Sequence, residues 1–337
     1  MIMKRTIAWS IALLASLSTA TARPERLRFS DDGTFRIVQF TDTHLDARIP
    51  ERVAEAEKTF ARIDRTIRTE HPDLIVFTGD VVTGRPAAGM WQRLLDTLVR
   101  RGVPYCIVLG NHDAEQDLPR TEIARLVTSA KGSLNTLAAS GELADAELPV
   151  YGSAIPGPAA VLYCLDSHDY STLEGINGYG WFRPEQIAWL RQSCEARTSA
   201  NNGIALPGLA FFHIPLPEYV TAWRNPGNTR IGRAAEKECP GVLNPGMFAA
   251  MVESRSIVGT FAGHDHDIDY LVAEQGIALG YGRFSGDNTT YNNLRPGVRV
   301  IVLKEGVRGF ETWIREDDGR IVDHARFEGG KIVKHNE

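Results

Sequence analysis

Five stretches of this sequence end an apolar run in residues that can hold a metal ion. Residues 35–40 lead into Asp42 and His44, and Leu74-Ile75-Val76-Phe77 leads into Gly79-Asp80. Tyr105-Cys106-Ile107-Val108-Leu109 leads into Gly110-Asn111-His112-Asp113. Leu209-Ala210-Phe211-Phe212 leads into His213, and residues 257–262 into Gly263-His264-Asp265-His266. Carboxylates, imidazoles and an amide oxygen form a donor set suited to Fe, Zn or Mn. Two ions held close together need a bridging oxygen, which an aspartate can supply. A lone Asn-His-Asp would read as a polar turn. Of the nine histidines, five fall at these strand ends, and that recurrence argues for a site. His71, His324 and His335 lack such a context and read as surface residues.

These residues need elements to position them. Residues 35–40, 74–77 and 105–109 read as strands, separated by an amphipathic helix over residues 51–70 and a second around Trp91, Leu94, Leu95 and Leu98. Strand, helix, strand, helix, strand describes βαβ units and a largely parallel sheet covered by helices. Ligands bind at the C-terminal edge of such sheets. Further strands are expected at 160–165, 209–212 and 257–262, with helices within 120–143 and over 183–194. From Tyr270 onward, short β-like runs alternate with glycine turns and suggest a second sheet. With no repeat, low-complexity segment or linker, residues 23–337 read as one domain.

The 337 residues are 43% hydrophobic, ample for a buried core, and carry a net charge of −5 with no charged tail. That balance argues against a protein built to grip nucleic-acid phosphates. Residues 1–5 are short and basic, residues 6–17 apolar, and Ala20-Thr21-Ala22 has the small-x-small form of a cleavage site. This reads as a secretory signal peptide over residues 1–22, giving a secreted or periplasmic protein with no membrane span once it is removed. Oxidising surroundings permit disulfides. Cys106 and Cys164 lie in apolar runs as buried hydrophobes, leaving Cys194 and Cys239 as the only plausible pair.

The ordered set Asp42-x-His44, Gly79-Asp80, Gly110-Asn111-His112-Asp113, His213 and Gly263-His264-x-His266 resembles the signature of calcineurin-like metallophosphoesterases. Gly178-Tyr179-Gly180-Trp181, residues 211–219 and Asp269-Tyr270 resemble a branch of single-domain proteins related to purple acid phosphatases. The resemblance implies an α/β (α+β) fold, a four-layer αββα sandwich of two mixed sheets flanked by helices. It implies two metal ions, with Asp42, His44 and His266 holding one, Asp80 bridging, and Asn111, His213 and His264 holding the other. His112 would face the substrate, with Asp113 orienting its ring by a hydrogen bond. Purple members carry an iron-binding tyrosine three residues after the bridging aspartate. Here that position is Thr83, so no purple colour is expected and Fe, Zn and Mn all stay open.

The implied activity is hydrolysis of a small-molecule phosphate ester by metal-bound hydroxide, with His112 as general acid or transition-state stabiliser. A phosphomonoesterase is the first reading and a phosphodiesterase the second; the third is a phosphate- or metal-binding protein without turnover. His168, beside Asp166 and Tyr170, could touch substrate from the rim or serve only its loop. Glu218 follows the ligand motif at His213, and the Arg283 fork could pair with a phosphate or simply be solvated. Asn288-Thr289-Thr290 is a glycosylation sequon, meaningful only in a eukaryotic secretory host. The oligomeric state is open, because aromatic residues outside the motifs fit either a core or an interface.

Overall fold

The computed structural model describes residues 26–289 and 293–335. The signal peptide expected over residues 1–22 lies outside the described residues, as does Thr290 of the sequon. The first half follows the expected order: β1 (Thr34–Phe40), α1 (Pro50–Glu70), β2 (Leu74–Thr78), α2 (Ala87–Arg101) and β3 (Tyr105–Val108). β1, β2 and β3 pair in parallel. Pro50 opens α1, where its fixed φ suits the first turn and its missing N–H leaves nothing unbonded. Gly102 closes α2 at φ 69°, a left-handed position that costs glycine nothing.

The next segment supplies α3 (Arg120–Ser129), β4 (Ala146–Tyr151), β5 (Pro158–Cys164), α4 (Pro184–Ala200), β6 (Gly208–Phe211) and α5 (Pro217–Arg224). β7 (Arg230–Ile231), α6 (Met247–Ser254), β8 (Ile257–Ala262), β9 (Leu271–Glu274) and β10 (Ile277–Tyr281) follow. The chain then runs through β11 (Gly297–Lys304), β12 (Gly309–Glu316), β13 (Ile321–Glu328) and β14 (Lys331–Lys334). One seven-stranded sheet has the order β14-β13-β12-β11-β1-β2-β3, and the other β4-β5-β6-β8-β10-β9-β7.

The C-terminal strands therefore correct one expectation. They do not build a sheet of their own: β9 and β10 join the second sheet, while β11–β14 return to the first, with β11 antiparallel to β1. β11 can occupy that central position because both its faces are apolar. Ile301 and Leu303 pack between the sheets, and Val300 and Val302 pack on the helical side.

Three apolar layers hold the four structural layers together. Alternation sends Phe35, Ile37, Leu74 and Val76 from the first sheet to meet Leu162, Leu209 and Phe211 from the second. Val38, Phe40, Ile75 and Phe77 face the other way, onto Ile63, Ile67, Trp91 and Leu94 of α1 and α2. Val161, Tyr163 and Ala210 face Leu190, Ala222 and Met251 of α4, α5 and α6. Strands buried on both faces explain the unbroken apolar runs in the sequence.

All four cysteines are free, so the pairing expected for Cys194 and Cys239 does not form. Cys194 is buried on α4 with its Sγ 3.5 Å from the Tyr163 hydroxyl, whereas the backbone N–H of Cys239 donates to Asp265. Cys106 and Cys164 lie in the core between the sheets, as their apolar surroundings predicted. Leu94 is fully buried between α2 and the first sheet. Leu94→Ala should lower the unfolding free energy by about 2–5 kcal/mol; chemical denaturation showing less than about 1 kcal/mol would contradict this packing.

Candidate dinuclear metal centre

The strand ends converge as two clusters of donors. Asp42, His44 and His266 form one, and Asp80, His213 and His264 the other, with the ligand atoms of each lying within 4.8 Å of one another. Asp80 joins them, because its Oδ2 lies 3.3 Å from His213 Nε2 and 3.8 Å from His44 Nε2. In the first cluster His266 Nε2 is 3.8 Å from Asp42 Oδ1, and the His44 and His266 rings meet edge-on at 4.7 Å. In the second, His264 Nδ1 and Asn111 Oδ1 stand 3.3 and 3.1 Å from His213 Nε2.

The backbone is strained to achieve this. Asp42, His44, Asp80 and His264 all adopt positive φ, at 50°, 44°, 50° and 79°. Each such residue costs about 1–3 kcal/mol, a cost that clusters at functional sites. Gly110 makes the close approach possible, since a Cβ there would lie 2.2 Å from Asp80 Oδ1 and 2.8 Å from His213 Nε2. Gly79, at φ 87°, would drive a Cβ to 2.4 Å from the His213 ring.

Hydrogen bonds orient the donors. His213 Nδ1 gives its proton to the Thr78 carbonyl at 2.7 Å, which leaves Nε2 free to act as a ligand. Asp42 Oδ2 accepts from the Thr41 hydroxyl at 2.7 Å and from the His264 N–H at 3.1 Å. Asp80 Oδ1 accepts the His112 N–H at 2.9 Å, leaving Oδ2 for the space between the clusters. Within that space His44 Nε2 is buried with no hydrogen-bond partner. Orphaned imidazole nitrogen, converging lone pairs and two carboxylates fit a pair of borderline cations. The donors expected from the sequence are therefore the ones the fold brings together.

His112 and Asp113 divide differently from expectation. Asp113 is fully buried, and it does not hold the His112 ring. Its Oδ1 accepts the N–H groups of Val81 and Val82, at 2.8 and 2.9 Å, and its Oδ2 accepts that of Gly110 at 2.8 Å. It clamps the two loops that carry Asp80 and Asn111. The His112 ring is held by Glu115, with Nδ1 to Oε2 at 2.6 Å, and it stands at the lip of the site, 40% exposed and 6.3 Å from the His44 ring. The Tyr170 hydroxyl donates to the other Glu115 oxygen at 2.7 Å and accepts from Asn111 Nδ2 at 3.1 Å. Tyr179 stacks on Tyr170 and sets its edge against His264 at 4.2 Å. The i, i+3 spacing of His112 and Glu115 was a local signal for that pair; nothing local signals Tyr170.

The three substrate-contact candidates do not join this constellation. Arg283 is buried and paired within the protein: its Nε bonds Asp269 Oδ2 at 3.0 Å, and its Nη1 reaches the Arg295 carbonyl and Glu316. A buried fork holding two carboxylates and a backbone carbonyl is committed to the protein's own groups. His168 is held by Gln186 at 2.9 Å and stands 3.7 Å from Asp166, between β5 and α4. Glu218 begins α5, where its Oε1 accepts from Asn244 at 2.8 Å. All three build loops and helix starts. Thr83, at the position of the purple proteins' tyrosine, donates its N–H to the Leu45 carbonyl.

The electrostatics of this site depend on what occupies it. Burial works against a charged Asp80, but the His213 and His44 imidazoles outweigh it and hold the carboxyl well below its ordinary range. Burial would likewise lower His213, yet the Asp80 carboxylate wins and pushes it up to about 10. Burial pushes Asp113 up to about 6, with the Asp80 charge adding to the effect, and raises Asp265 to about 7. Without a cation, then, protons take its place. A histidine with a raised pKa stabilises the fold fully below its unfolded value and loses that contribution as pH rises through its folded value. The metal-stripped protein should therefore show a Tm falling from about pH 7 to about pH 10, with a shallower fall once ions are loaded. Equal slopes in thermal melts of the stripped and loaded forms would disconnect the Asp80–His213 pair from the metal site.

Comparison with known proteins agrees with this geometry. A model of the calcineurin-like phosphoesterase family matches residues 35–267. An Arabidopsis thaliana protein named "Probable inactive purple acid phosphatase 28" is 30% identical over 333 residues, covering 87% of this chain and 83% of its own. "Phosphatase DCR2" of Saccharomyces cerevisiae is 27% identical over 332 residues, 86% of this chain and 55% of its own. Among solved structures, a dimetal phosphatase from Danio rerio superposes with a TM-score of 0.61 at 15% identity, over 87% of this chain and 98% of that one. Identity that low speaks for the fold, which is the shared sandwich of two mixed sheets between helices. Because the matched span contains both donor clusters from Asp42 to His266, we conclude that this chain belongs to the calcineurin-like phosphoesterase family.

Proposed function

We propose that the protein is an exported phosphomonoesterase with a dinuclear metal centre. The observation that carries this reading is Asp80 Oδ2, a member of one three-donor cluster, facing His44 of the other, with the Glu115-held His112 ring exposed at the lip. Asp42, His44 and His266 would hold one ion, Asn111, His213 and His264 the other, and Asp80 would bridge. Bound ions supply Lewis acidity toward the phosphoryl oxygens and a lowered pKa for water. The chain's own residues do the rest. Glu115 fixes the His112 ring so that Nε2 points away from the carboxylate, free to give a proton to the departing ester oxygen. Zn, Mn and Fe remain the ions to compare, and no tyrosine at position 83 offers iron a phenolate.

A shorter match over 28% of the chain carries the name of a probable cyclic nucleotide phosphodiesterase, whereas relatives matched over most of this chain carry phosphatase names, three of them with the word inactive. That word favours a second reading for this chain, a binder of metal or phosphate without turnover. Against it, each donor position is filled and His112, which no metal-binding role needs, is oriented by its own carboxylate.

Protein stripped of metal and reloaded separately with Zn, Mn or ferrous iron separates the readings when assayed on p-nitrophenyl phosphate and on its bis-p-nitrophenyl diester. We expect preferential monoester turnover that falls on the order of 10²–10⁴-fold in His112→Ala, with metal content unchanged. Diester preference would sink the monoesterase assignment, and metal uptake without turnover on either ester would favour the binder. Export rests on residues 1–22. N-terminal sequencing of protein from the periplasm or medium should begin at Arg23, and exported protein beginning at Met1 would refute cleavage there.

A further inference from the structure

Outside the candidate dinuclear centre, one further group of metal-type donors among the described residues is assembled by three neighbouring strands. Glu311 on β12, His324 on β13 and His335 just after β14 bring their ligand atoms within 4.8 Å of one another. The register explains how. Ala325 pairs with Lys334, so the next residues, His324 and His335, stand opposite each other, and the His335 N–H donates to the His324 carbonyl at 3.1 Å. Directly opposed side chains on an antiparallel pair are close neighbours. Here the two imidazoles stack at 4.1 Å with an 11° angle between their planes.

Both rings aim Nε2 at the same atom. Glu311 Oε1 is 2.5 Å from His324 Nε2 and 3.6 Å from His335 Nε2. Arg326, directly across from Glu311, would be its natural partner, but it turns instead to Glu328 at 3.4 Å. Glu311 is thus left to the histidines. The edge of Trp313 lies 5.3 Å from the His324 ring and limits where that ring can swing. On the open side, His324 and His335 line a cleft of about 560 Å³.

We infer that Glu311, His324 and His335 form a third, mononuclear site for a borderline divalent cation of the Zn²⁺ class. Two imidazoles and one carboxylate on one face are a donor set for such ions. Zinc–nitrogen and zinc–oxygen bonds near 2.0–2.2 Å place tetrahedral donors about 3.3 Å apart. The His335–Glu311 separation is close to that; the His324–Glu311 contact must open as the proton between them leaves, and the two stacked rings must tilt so that their Nε2 lone pairs converge on one ion. The open cleft leaves the remaining coordination position to water, so the ion is exchangeable. It would tie β14, the sheet's edge strand, to β13 and β12. None of these residues belongs to the dinuclear centre, so the inference does not depend on the proposed activity.

The test uses untagged protein dialysed against zinc, with bound metal counted by mass spectrometry. Wild type should retain one more zinc per chain than His324→Ala, His335→Ala or Glu311→Gln, with affinity for that last equivalent weakened on the order of 10–100-fold or more. Added zinc should also raise the Tm of the wild type by more than that of the variants. His335, half-exposed at the strand end, is the substitution least able to disturb folding. Equal zinc content in wild type and His335→Ala, or zinc-dependent Tm shifts that the variants share, would overturn the site and leave only a cross-strand ion pair.

Discussion

Everything near the candidate centre is arranged around one buried carboxylate, that of Asp80. It is 1% exposed, sits on left-handed backbone, and has one oxygen tied to the His112 N–H and the other facing two histidines. A charge in that position is expensive unless it is compensated. The fold compensates it from both sheets at once, with His44 following β1 and His213 following β6. The demand explains the glycines: Gly79 and Gly110 flank the carboxylate where any side chain would collide with it or with His213. It also explains Asp113, which anchors the two loops from below through three backbone N–H groups and tolerates a second buried acid nearby.

Such strain persists only on a scaffold rigid enough to impose it. The three apolar layers provide that rigidity. Strands buried on both faces fix the positions of their own C-terminal ends, and the loops that begin there inherit the precision. The candidate donors lie two to four residues after a strand end, from His213 two residues after β6 to His266 four after β8.

The sequence was most informative where function is local to a strand end. Asp42, His44, Asp80, Asn111, His213, His264 and His266 announce themselves by type, order and preceding apolar run, and the fold brings them together. What was illegible depended on contacts between distant segments. Tyr170 meets Asn111 across 59 positions, and Arg283 finds Asp269 and Glu316 in places that a glycine-rich turn does not suggest. The family resemblance implied a bond from Asp113 to the His112 ring, whereas in this fold the Asp113 carboxylate is taken up by the backbone N–H groups of Val81, Val82 and Gly110 and the ring pairs with Glu115. β11–β14 read as a separate sheet because antiparallel runs carry no mark of which edge they will join; the two apolar faces of β11 were the available clue. His324 and His335 looked bland for the same reason, since their common partner lies on a third strand.

The hydrogen bonds from Asn111 to His112 have a fixed direction. Asn111 turns its Oδ1 toward His213, so its Nδ2 must face Tyr170 as a donor. The Tyr170 oxygen accepts that proton, and its own hydroxyl proton is therefore sent to Glu115 Oε1. With one oxygen occupied, Glu115 offers Oε2 to His112 Nδ1, which donates to it. Each link settles the next, and hydrogen bonds to a charged partner contribute about 1.5–3 kcal/mol each. The amide that supplies an oxygen to the second donor cluster thus also sets which nitrogen of His112 is left facing outward. The candidate metal donors and the His112 ring are two ends of one chain of donors and acceptors, and holding a metal would not by itself require the second end.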